Sequence, residues 1–286
     1  MRLKVTIDEN AGPCGGVKRV IRLAENSLDK GMRTTSLGDI IHNEDEIRRL
    51  QTLGLESAGH EAIDRAGESG TPERVLVRAH GEPPETFARA KRMGVDLVDG
   101  TCPVVTRSQD AARAHWEAGE QIVIVGKDKH AEVIGIIGHC GGEALVVAEP
   151  ADVSRIDPSR KSYVLAQTTI SLEQYESILR EMEARGLPYE TNNTICRFVT
   201  DRNDDLPAFA RSHDVILFVG GHHSSNTKVM HKVCEAINPR SYHIDSVQEI
   251  DPAWFTNART VGVSGSASTP EWLIADVARY VSEREW

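Results

Sequence analysis

Several features are scarce or missing in this 286-residue chain, and each excludes a class of function. Aromatic residues make up only 5%, and 43 acidic residues outnumber 33 basic ones, giving a formal charge of −10. Proteins that bind nucleic acid rely on basic surfaces and aromatic stacking platforms, so we expect no nucleic-acid partner. No run of about 18 apolar residues occurs, so we also expect no membrane span.

The usual short motifs of cofactor and metal sites are missing too. No C-x-x-C pair occurs, which excludes zinc-ribbon and thioredoxin-like sites. Neither G-x-G-x-x-G after a strand nor G-x-x-x-x-G-K-[ST] is present, so nicotinamide and P-loop nucleotide sites lack their fingerprints. The first ten residues lack the apolar core of a secretory signal, and we therefore expect a cytoplasmic protein without disulfides.

What is present is the pattern of a globular α/β protein, with 40% hydrophobic and 27% charged residues. Short apolar runs alternate with helix-like segments, which is typical of parallel sheets covered by helices. The runs are 74–78, 122–125, 163–166, 214–219 and 260–263.

Capping residues locate several helix ends. Asn43 with Glu46 three residues later predicts a helix over 43–54, and Ser171 predicts another that ends at Gly186. Thr269-Pro270 predicts the start of the last helix. The polar stretches 57–73 and 150–162 are predicted to be surface loops.

Polar side chains follow the predicted strands where each strand ends. They are small, hydroxyl, amide or imidazole groups, as in Ala79-His80-Gly81, Gln167-Thr168-Thr169 and Ser224-Ser225-Asn226. Ligands of parallel sheets bind at the carboxyl ends of the strands, and helix N-termini there can hold an anion. Ser and Asn also cap helices without binding anything, so both interpretations stay open from the residues alone.

Three of the five cysteines are almost evenly spaced. Cys14, Cys102 and Cys196 lie 88 and 94 residues apart, each beside a turn, which indicates three similar units. Thiolates bind soft metals and iron–sulfur clusters, so a shared metal centre is one interpretation. The other is that each is a small buried hydrophobe, as we expect for Cys140 and Cys234.

Nine motifs carry a resemblance to a known family over nearly the whole chain. In order they are 12–19 (GPCGGVKR), 38–43 (GDIIHN), 79–81 (AHG), 99–103 (DGTCP), 130–135 (HAEVIG), 166–169 (AQTT), 193–196 (NTIC), 224–227 (SSNT) and 265–270 (GSASTP). With these motifs the chain resembles the 4-hydroxy-3-methylbut-2-enyl diphosphate reductase (LytB) family, which acts last in the non-mevalonate isoprenoid pathway.

The resemblance implies a fold and a cofactor. The implied fold is a trefoil of three small parallel-sheet α/β units around a central iron–sulfur cluster, over 14–101, 102–195 and 196–286 with 1–13. The implied cofactor is a [4Fe–4S] cluster with one ligand from each unit. These ligands are Cys14, Cys102 and Cys196, and the fourth iron stays open for the substrate's hydroxyl oxygen.

The resemblance also implies an iron–sulfur oxidoreductase and assigns its other residues. The reaction is a two-electron reductive dehydroxylation that gives isopentenyl and dimethylallyl diphosphate, with electrons from a ferredoxin- or flavodoxin-type donor. Glu132, Thr168 and His130 would be catalytic, with Thr168 and Glu132 bonding the substrate hydroxyl and relaying protons. The implied substrate contacts are His42, His80, His130, Thr168, Ser224, Ser225, Asn226 and Ser268.

Some positions depart from the family pattern and leave alternatives open. They are Gln109, Ala131, Arg197, Phe198, Val199, Asn203 and the pair His222-His223. None removes an implied ligand or diphosphate contact, and two alternatives stay open beside the reductase. One is a paralogue that reduces a different allylic or activated substrate, and the other is a non-catalytic iron–sulfur sensor. Retention of Glu132 and Thr168 argues against a sensor, which needs no proton relay.

Overall fold

The computed structural model describes residues 2–41, 43–69 and 73–286, without the side chains of Val199 and Asn203. The strands of this part are β1 Lys4–Ile7, β2 Arg33–Leu37, β3 Leu55–Ala58, β4 Glu73–Val77, β5 Asp96–Asp99, β6 Gln121–Val125, β7 Leu145–Val147, β8 Ser162–Ala166, β9 Tyr189–Asn192, β10 Val215–Val219, β11 Ser241–Ile244 and β12 Thr260–Gly265.

The helices alternate with these strands. They are α1 Gly15–Leu28, α2 Glu44–Thr52, α3 Glu61–Glu68, α4 Pro84–Met93, α5 Pro103–Glu117, α6 Ala131–His139, α7 Leu172–Ala184, α8 Arg197–Arg211, α9 Ser225–Ile237 and α10 Glu271–Ser282. Among the helices described, none has the length and apolar content needed to cross a bilayer.

The strands form three sheets of four strands, and every pair within them is parallel. Sheet I has the order β3-β2-β4-β5, sheet II has β7-β6-β8-β9, and sheet III has β1-β12-β10-β11. The predicted fold class, three small α/β units with parallel sheets, is confirmed. The boundaries 14–101, 102–195 and 196–286 with 1–13 stay a prediction.

The chain divides into two compact units. The terminal unit comprises the N-terminal segment through Lys18, Ile41–Arg49 and Arg197–Trp286, and it contains sheet III. The middle unit comprises Arg19–Ile40 and Leu50–Cys196, and it contains sheets I and II.

Central strands carry the core of each sheet. Every residue of β8 and β10 is buried, as are four of the five in β6. Such nearly continuous apolar strands are expected where helices cover both faces of a parallel sheet. The predicted runs at 74–78, 122–125, 163–166, 214–219 and 260–263 coincide with β4, β6, β8, β10 and β12, so these strand predictions are confirmed.

The caps predicted at Asn43 and Ser171 are confirmed, Pro270 lies one residue before the last helix instead of in its first position, and the loop predicted over 57–73 is wrong. The Asn43 side chain accepts a hydrogen bond from the Glu46 amide at 2.9 Å, and α2 follows it. Within 57–73, however, residues Glu61–Glu68 form α3. Only Ala62 and Ile63 of this helix are buried, so its apolar stripe is too short to stand out in a polar stretch.

Candidate functional site

A buried carboxyl group and a threonine meet in the middle unit. Glu132 is the second residue of α6 and is 1% exposed, while Thr168 follows the end of β8. The Thr168 amide donates to Glu132 Oε1 at 2.7 Å, and its hydroxyl donates to Oε2 at 2.6 Å. Residues 36 positions apart are thus joined by two short hydrogen bonds at the carboxyl edge of sheet II.

The environment of Glu132 makes it a group that can carry a proton near neutral pH. Burial raises the pKa of this carboxyl from 4.5 to about 7, although both hydrogen bonds from Thr168 act in the opposite direction. A carboxyl group with such a pKa can act as a general acid at physiological pH.

Two histidines lie on the same side of the middle unit. His130 caps α6, and its Nδ1 accepts a hydrogen bond from the Glu132 amide at 3.3 Å. Because Nδ1 accepts, the proton of the neutral ring is on Nε2, which is then a donor. The ring of His80 packs against that of His130, edge to face, with centroids 5.3 Å apart.

Glycines allow the loop of His80 to approach α6. Gly81 has a φ of +76°, and a Cβ there would lie 2.5 Å from Gln109 Nε2, while one on Gly135 would lie 3.0 Å from the same atom. Gln109 is buried between these backbones, and its Nε2 has no hydrogen-bond partner among the described residues. This departure from the family pattern therefore lies behind the His80 loop.

Two candidate metal ligands are tied to these loops through their backbone amides. Cys102 caps α5 and donates to the Ala79 carbonyl at 3.0 Å, one residue before His80. Cys196 donates to the Thr168 carbonyl at 2.9 Å. Thr168 therefore connects the Glu132 carboxyl on one side with Cys196 on the other.

The third candidate ligand lies in the terminal unit. The Cys14 amide donates to the Ala267 carbonyl at 3.3 Å, beside the loop that follows β12. Cys14, Cys102 and Cys196 share one local arrangement, since each immediately precedes a helix, respectively α1, α5 and α8. The N-terminus of a helix favours negative charge, so all three positions suit a thiolate.

The five cysteines, all within the described part of the chain, fall into two classes, and none forms a disulfide. Cys14, Cys102 and Cys196 are partly exposed, whereas Cys140 and Cys234 are fully buried. Burial raises the pKa of both buried thiols to about 12, so they stay protonated and are unsuited to metal binding. Only the first class therefore fits an iron–sulfur cluster.

A group of hydroxyls and an amide lies at the carboxyl edge of sheet III. Ser224 caps α9 by accepting from the Thr227 amide at 3.2 Å, and the Ser268 hydroxyl donates to Ser224 Oγ, also at 3.2 Å. Asn226 is 6% exposed, yet neither its amide oxygen nor its nitrogen has a partner among the residues described. Ser225, between them, is half-buried. An amide left in this way can bind a polar ligand.

Other predicted positions are less informative. His42 lies outside the described residues, as do the side chains of Val199 and Asn203. Arg197 is exposed at the start of α8, and Phe198 is half-buried. His222, one of the departures, is exposed and lies 3.0 Å from a carboxylate oxygen of Glu249.

Sequence reasoning assigned no role to two arginines near these loops. Arg202, on α8, forms a buried ion pair with Asp8 at 2.5 Å. The Ser264 hydroxyl accepts a hydrogen bond from Arg202 and donates one to Asp8. Arg78 follows β4 and precedes the Ala79-His80 step. The Asp8–Arg202 pair spans 194 positions, so no local signal could reveal it, whereas Arg78 could have been found by its place at a strand end.

Comparison with known proteins identifies a family that matches nearly the whole chain. The family profile described as LytB protein matches residues 5–282. This chain belongs to the LytB family. Members of the LytB family use an iron–sulfur cluster, in agreement with the three partly exposed thiols.

Individual members of the LytB family are similar over their full length. The chain is 39% identical over 287 residues to the 4-hydroxy-3-methylbut-2-enyl diphosphate reductase of Phocaeicola vulgatus, and the matched region covers 98% of each chain. The reductase of the same name from Bacteroides fragilis is 40% identical over 286 residues, covering 98% of this chain and 97% of the relative.

Solved structures agree with this relationship. One is described as (E)-4-hydroxy-3-methyl-but-2-enyl diphosphate reductase, the terminal enzyme of the non-mevalonate pathway, with a TM-score of 0.74, 33% identity and coverage of 99% of this chain and 100% of that one. The E-1-hydroxy-2-methyl-but-2-enyl-4-diphosphate reductase from Plasmodium falciparum has a TM-score of 0.87 at 22% identity over 98% of this chain and 88% of its own, which bears on the fold alone. The resemblance expected from the nine motifs is therefore confirmed.

Proposed function

We propose that this protein is an iron–sulfur oxidoreductase that converts 4-hydroxy-3-methylbut-2-enyl diphosphate to isopentenyl and dimethylallyl diphosphate. The names of its full-length relatives support the substrate. The single structural observation that carries the proposal is the Glu132–Thr168 pair, because reductive loss of a hydroxyl group needs a proton donor for the leaving oxygen.

We assign the cluster to the three thiols that precede helices. Cys14, Cys102 and Cys196 would hold a [4Fe–4S] cluster as thiolates, each at a helix N-terminus that stabilises its negative charge. When bound, such a cluster supplies electrons one at a time and an iron with an open, Lewis-acidic position.

Glu132 and Thr168 supply the proton chemistry. Protonated Glu132 donates its proton to the departing hydroxyl, which leaves as water, and Thr168 orients the carboxyl through its amide and hydroxyl. Two electrons and a second proton complete the balance, since the carbon skeleton gains one hydrogen where it loses the hydroxyl. The pKa of about 7 places Glu132 within reach of both protonation states at neutral pH.

We assign the diphosphate contacts to hydroxyl, amide and imidazole groups of a protein whose net charge is −10. In the terminal unit we assign this role to Ser224, Ser225, Asn226 and Ser268. The Asn226 amide, which has no hydrogen-bond partner among the described residues, supports the assignment. In the middle unit we assign it to His80 and His130, whose rings pack edge to face. His42 completes the set by resemblance.

The proposal includes a one-electron partner and a location. No nicotinamide or P-loop motif occurs in the sequence, so we assign electron delivery to a ferredoxin- or flavodoxin-type protein. We expect the enzyme to act in the cytoplasm.

Anaerobic turnover by the holoenzyme tests the proposal. Protein with an intact cluster is mixed with a strong one-electron reductant and 4-hydroxy-3-methylbut-2-enyl diphosphate, and both products are measured. We expect turnover that falls about 10²–10⁴-fold in Glu132→Gln, which keeps the side-chain shape but cannot donate an acidic proton. Glu235→Gln, at an exposed position of α9, is the matched control and should keep full activity.

Two results would overturn the proposal. An intact cluster with no turnover of this diphosphate would exclude it as substrate and favour a paralogue acting on another allylic compound. Full turnover by Glu132→Gln with an unchanged cluster spectrum would remove Glu132 from the proton transfer.

A further inference from the structure

Arg78 occupies a strand end where ligands of parallel sheets bind. It directly follows β4 of sheet I, two residues before His80, and only 17% of its side chain is exposed. Its guanidinium packs over Gly38, whose φ is +76°: a Cβ there would lie 2.9 Å from Arg78 Nη1. The glycine therefore makes room for the arginine next to the loop that follows β2.

The charge of Arg78 is only partly compensated by the protein. Its nearest carboxylate oxygen, Glu82 Oε1, is 3.9 Å from Nη2, and the other oxygen of Glu82 is 2.7 Å from His60 Nε2. Asp39 acts on the guanidinium only at longer range. Within the described part of the chain, Arg78 Nε has no hydrogen-bond partner.

Burial affects the pKa of Arg78 more strongly than the two nearby carboxylates do. It lowers the pKa of the Arg78 guanidinium, and the opposing influence of Glu82 and Asp39 is smaller. A desolvated positive charge without a matching partner costs stability unless something else binds it. The described residues thus leave the positive charge of Arg78 at this strand end only partly compensated.

Another arginine on the same strand shows what full compensation looks like. Arg74, near the start of β4, donates two hydrogen bonds to Asp96 Oδ2 at 2.9 and 2.7 Å and a third to Ser27. It lies at the amino end of the strand, away from the edge where ligands bind. The two arginines differ in their pairing and in the end of the strand that they occupy.

We propose that Arg78 binds a phosphate group of the diphosphate substrate, next to His80. The inference rests on the proposed function, because it assigns a further residue to the same substrate site. The guanidinium presents a fork of N–H groups that matches phosphate oxygens, and the resulting hydrogen bonds are charge-assisted. A phosphate group would provide the counter-charge that Glu82 and Asp39 supply only in part, in a protein that is acidic overall.

Binding of inorganic diphosphate to the purified full-length protein tests the inference without turnover. By isothermal titration calorimetry, we expect Arg78→Met to weaken binding at least tenfold. Arg78→Lys keeps the charge but loses the fork, and it should weaken binding about threefold. Arg74→Met removes an arginine from the same strand and should leave the affinity unchanged.

Melting temperatures separate a binding role from a structural one. If Arg78 is kept for a ligand, Arg78→Met should melt at or above the wild-type temperature in the absence of ligand, because an incompletely paired buried charge has been removed. A lower melting temperature with unchanged diphosphate affinity in both Arg78 variants would overturn the inference. Should Arg78→Met fail to fold, the affinity of Arg78→Lys alone decides, and a wild-type value would overturn it.

The two proposals can fail separately. Arg78-dependent diphosphate binding in a protein whose holoenzyme does not turn over the allylic substrate contradicts the proposed function and supports the role of Arg78. Turnover of the allylic substrate together with diphosphate binding that does not depend on Arg78 supports the proposed function and contradicts the role of Arg78.

Discussion

Two of the buried carboxyl groups in this protein, those of Asp8 and Glu132, have opposite kinds of partner. Asp8, in the terminal unit, is 6% exposed and pairs with the guanidinium of Arg202, with the Ser264 hydroxyl donating to the same oxygen at 2.7 Å. Glu132, in the middle unit, is buried still further, and among the described residues its carboxyl accepts hydrogen bonds from an amide and a hydroxyl, both of Thr168. One carboxylate has a counter-charge within hydrogen-bond distance, and the other has two neutral donors.

The difference separates a structural role from a chemical one. A buried carboxylate with an arginine partner holds its surroundings in place, because separating the pair would leave a charge in the interior. A buried carboxyl with neutral donors has a raised pKa and can exchange a proton near pH 7. The same kind of side chain therefore anchors the segment before Cys14 at Asp8 and, in the function that we propose, transfers a proton at Glu132.

Removing the negative charge from Asp8 should have the largest effect on stability. Asp8→Asn leaves Arg202 buried without a counter-charge, which typically costs about 3–5 kcal/mol of the free energy of unfolding. Urea denaturation of the ligand-free protein measures this loss. The equivalent change at Glu132, Glu132→Gln, should cost far less at pH 8, because there the wild-type carboxylate is itself the destabilising group.

A double variant is the control for this comparison. Asp8→Asn combined with Arg202→Met removes both charges, and it should recover a large part of the stability lost in the single variant. Equal losses in Asp8→Asn and Glu132→Gln at pH 8 would show that the counter-charge does not distinguish the two sites.

The pH dependence of stability should show the second-largest effect. The pKa of Glu132 is raised from 4.5 to about 7 on folding, so between these values the folded protein binds more protons than the unfolded chain. The free energy of unfolding should therefore fall as pH rises from about 4.5 to 7, by about 3 kcal/mol in total, and the contribution of Glu132 should be constant above pH 8.

Glu132→Gln isolates this contribution from the other titrating groups. The difference in unfolding free energy between wild type and variant should favour the wild type at pH 5 and decline steadily to pH 8. Other groups cancel because both proteins contain them. A difference that does not change with pH would mean that Glu132 titrates near its ordinary value, and the contrast with Asp8 would disappear.

Local patterns predicted much of the fold but not this contrast. The apolar runs that became β6, β8 and β10, and the Asn43 cap of α2, depend on neighbouring residues and were found correctly. Helix α3 was missed because only two of its residues are buried, so its periodicity is weak. Where an element buries a full stripe or strand, the sequence shows it.

The candidate site was predicted through motifs rather than through physics. The intervals between Cys14, Cys102 and Cys196 indicated three units, yet composition could not distinguish them from the buried Cys140 and Cys234. Their position directly before a helix distinguishes the three from the other two, and this position is known only once the structure gives the helix boundaries. The Glu132–Thr168 and Asp8–Arg202 pairs join residues that are far apart in the chain. Local sequence patterns cannot reveal such pairs, and the burial of each carboxyl exists only in the folded state.

The smallest predicted effect concerns how Thr168 tunes Glu132. Thr168→Val keeps the side-chain volume and the backbone hydrogen bond but removes the hydroxyl that donates to Oε2 at 2.6 Å. Because that bond favours the charged carboxylate, its loss should raise the pKa of Glu132 by about one unit beyond its present value of about 7. Infrared titration of the protonated carboxyl, with Glu132→Gln identifying its band, measures the shift directly.

Thr169→Val is the matched control for this prediction, since the Thr169 hydroxyl accepts from Gln167 Nε2 and does not contact Glu132. The control should titrate as the wild type does, while the basic limb of the pH profile for turnover should move to higher pH only in Thr168→Val. If both variants titrate alike, burial alone sets the pKa of Glu132. The neutral donors would then orient the carboxyl without tuning it, and the contrast with Asp8 would be one of desolvation rather than of partners.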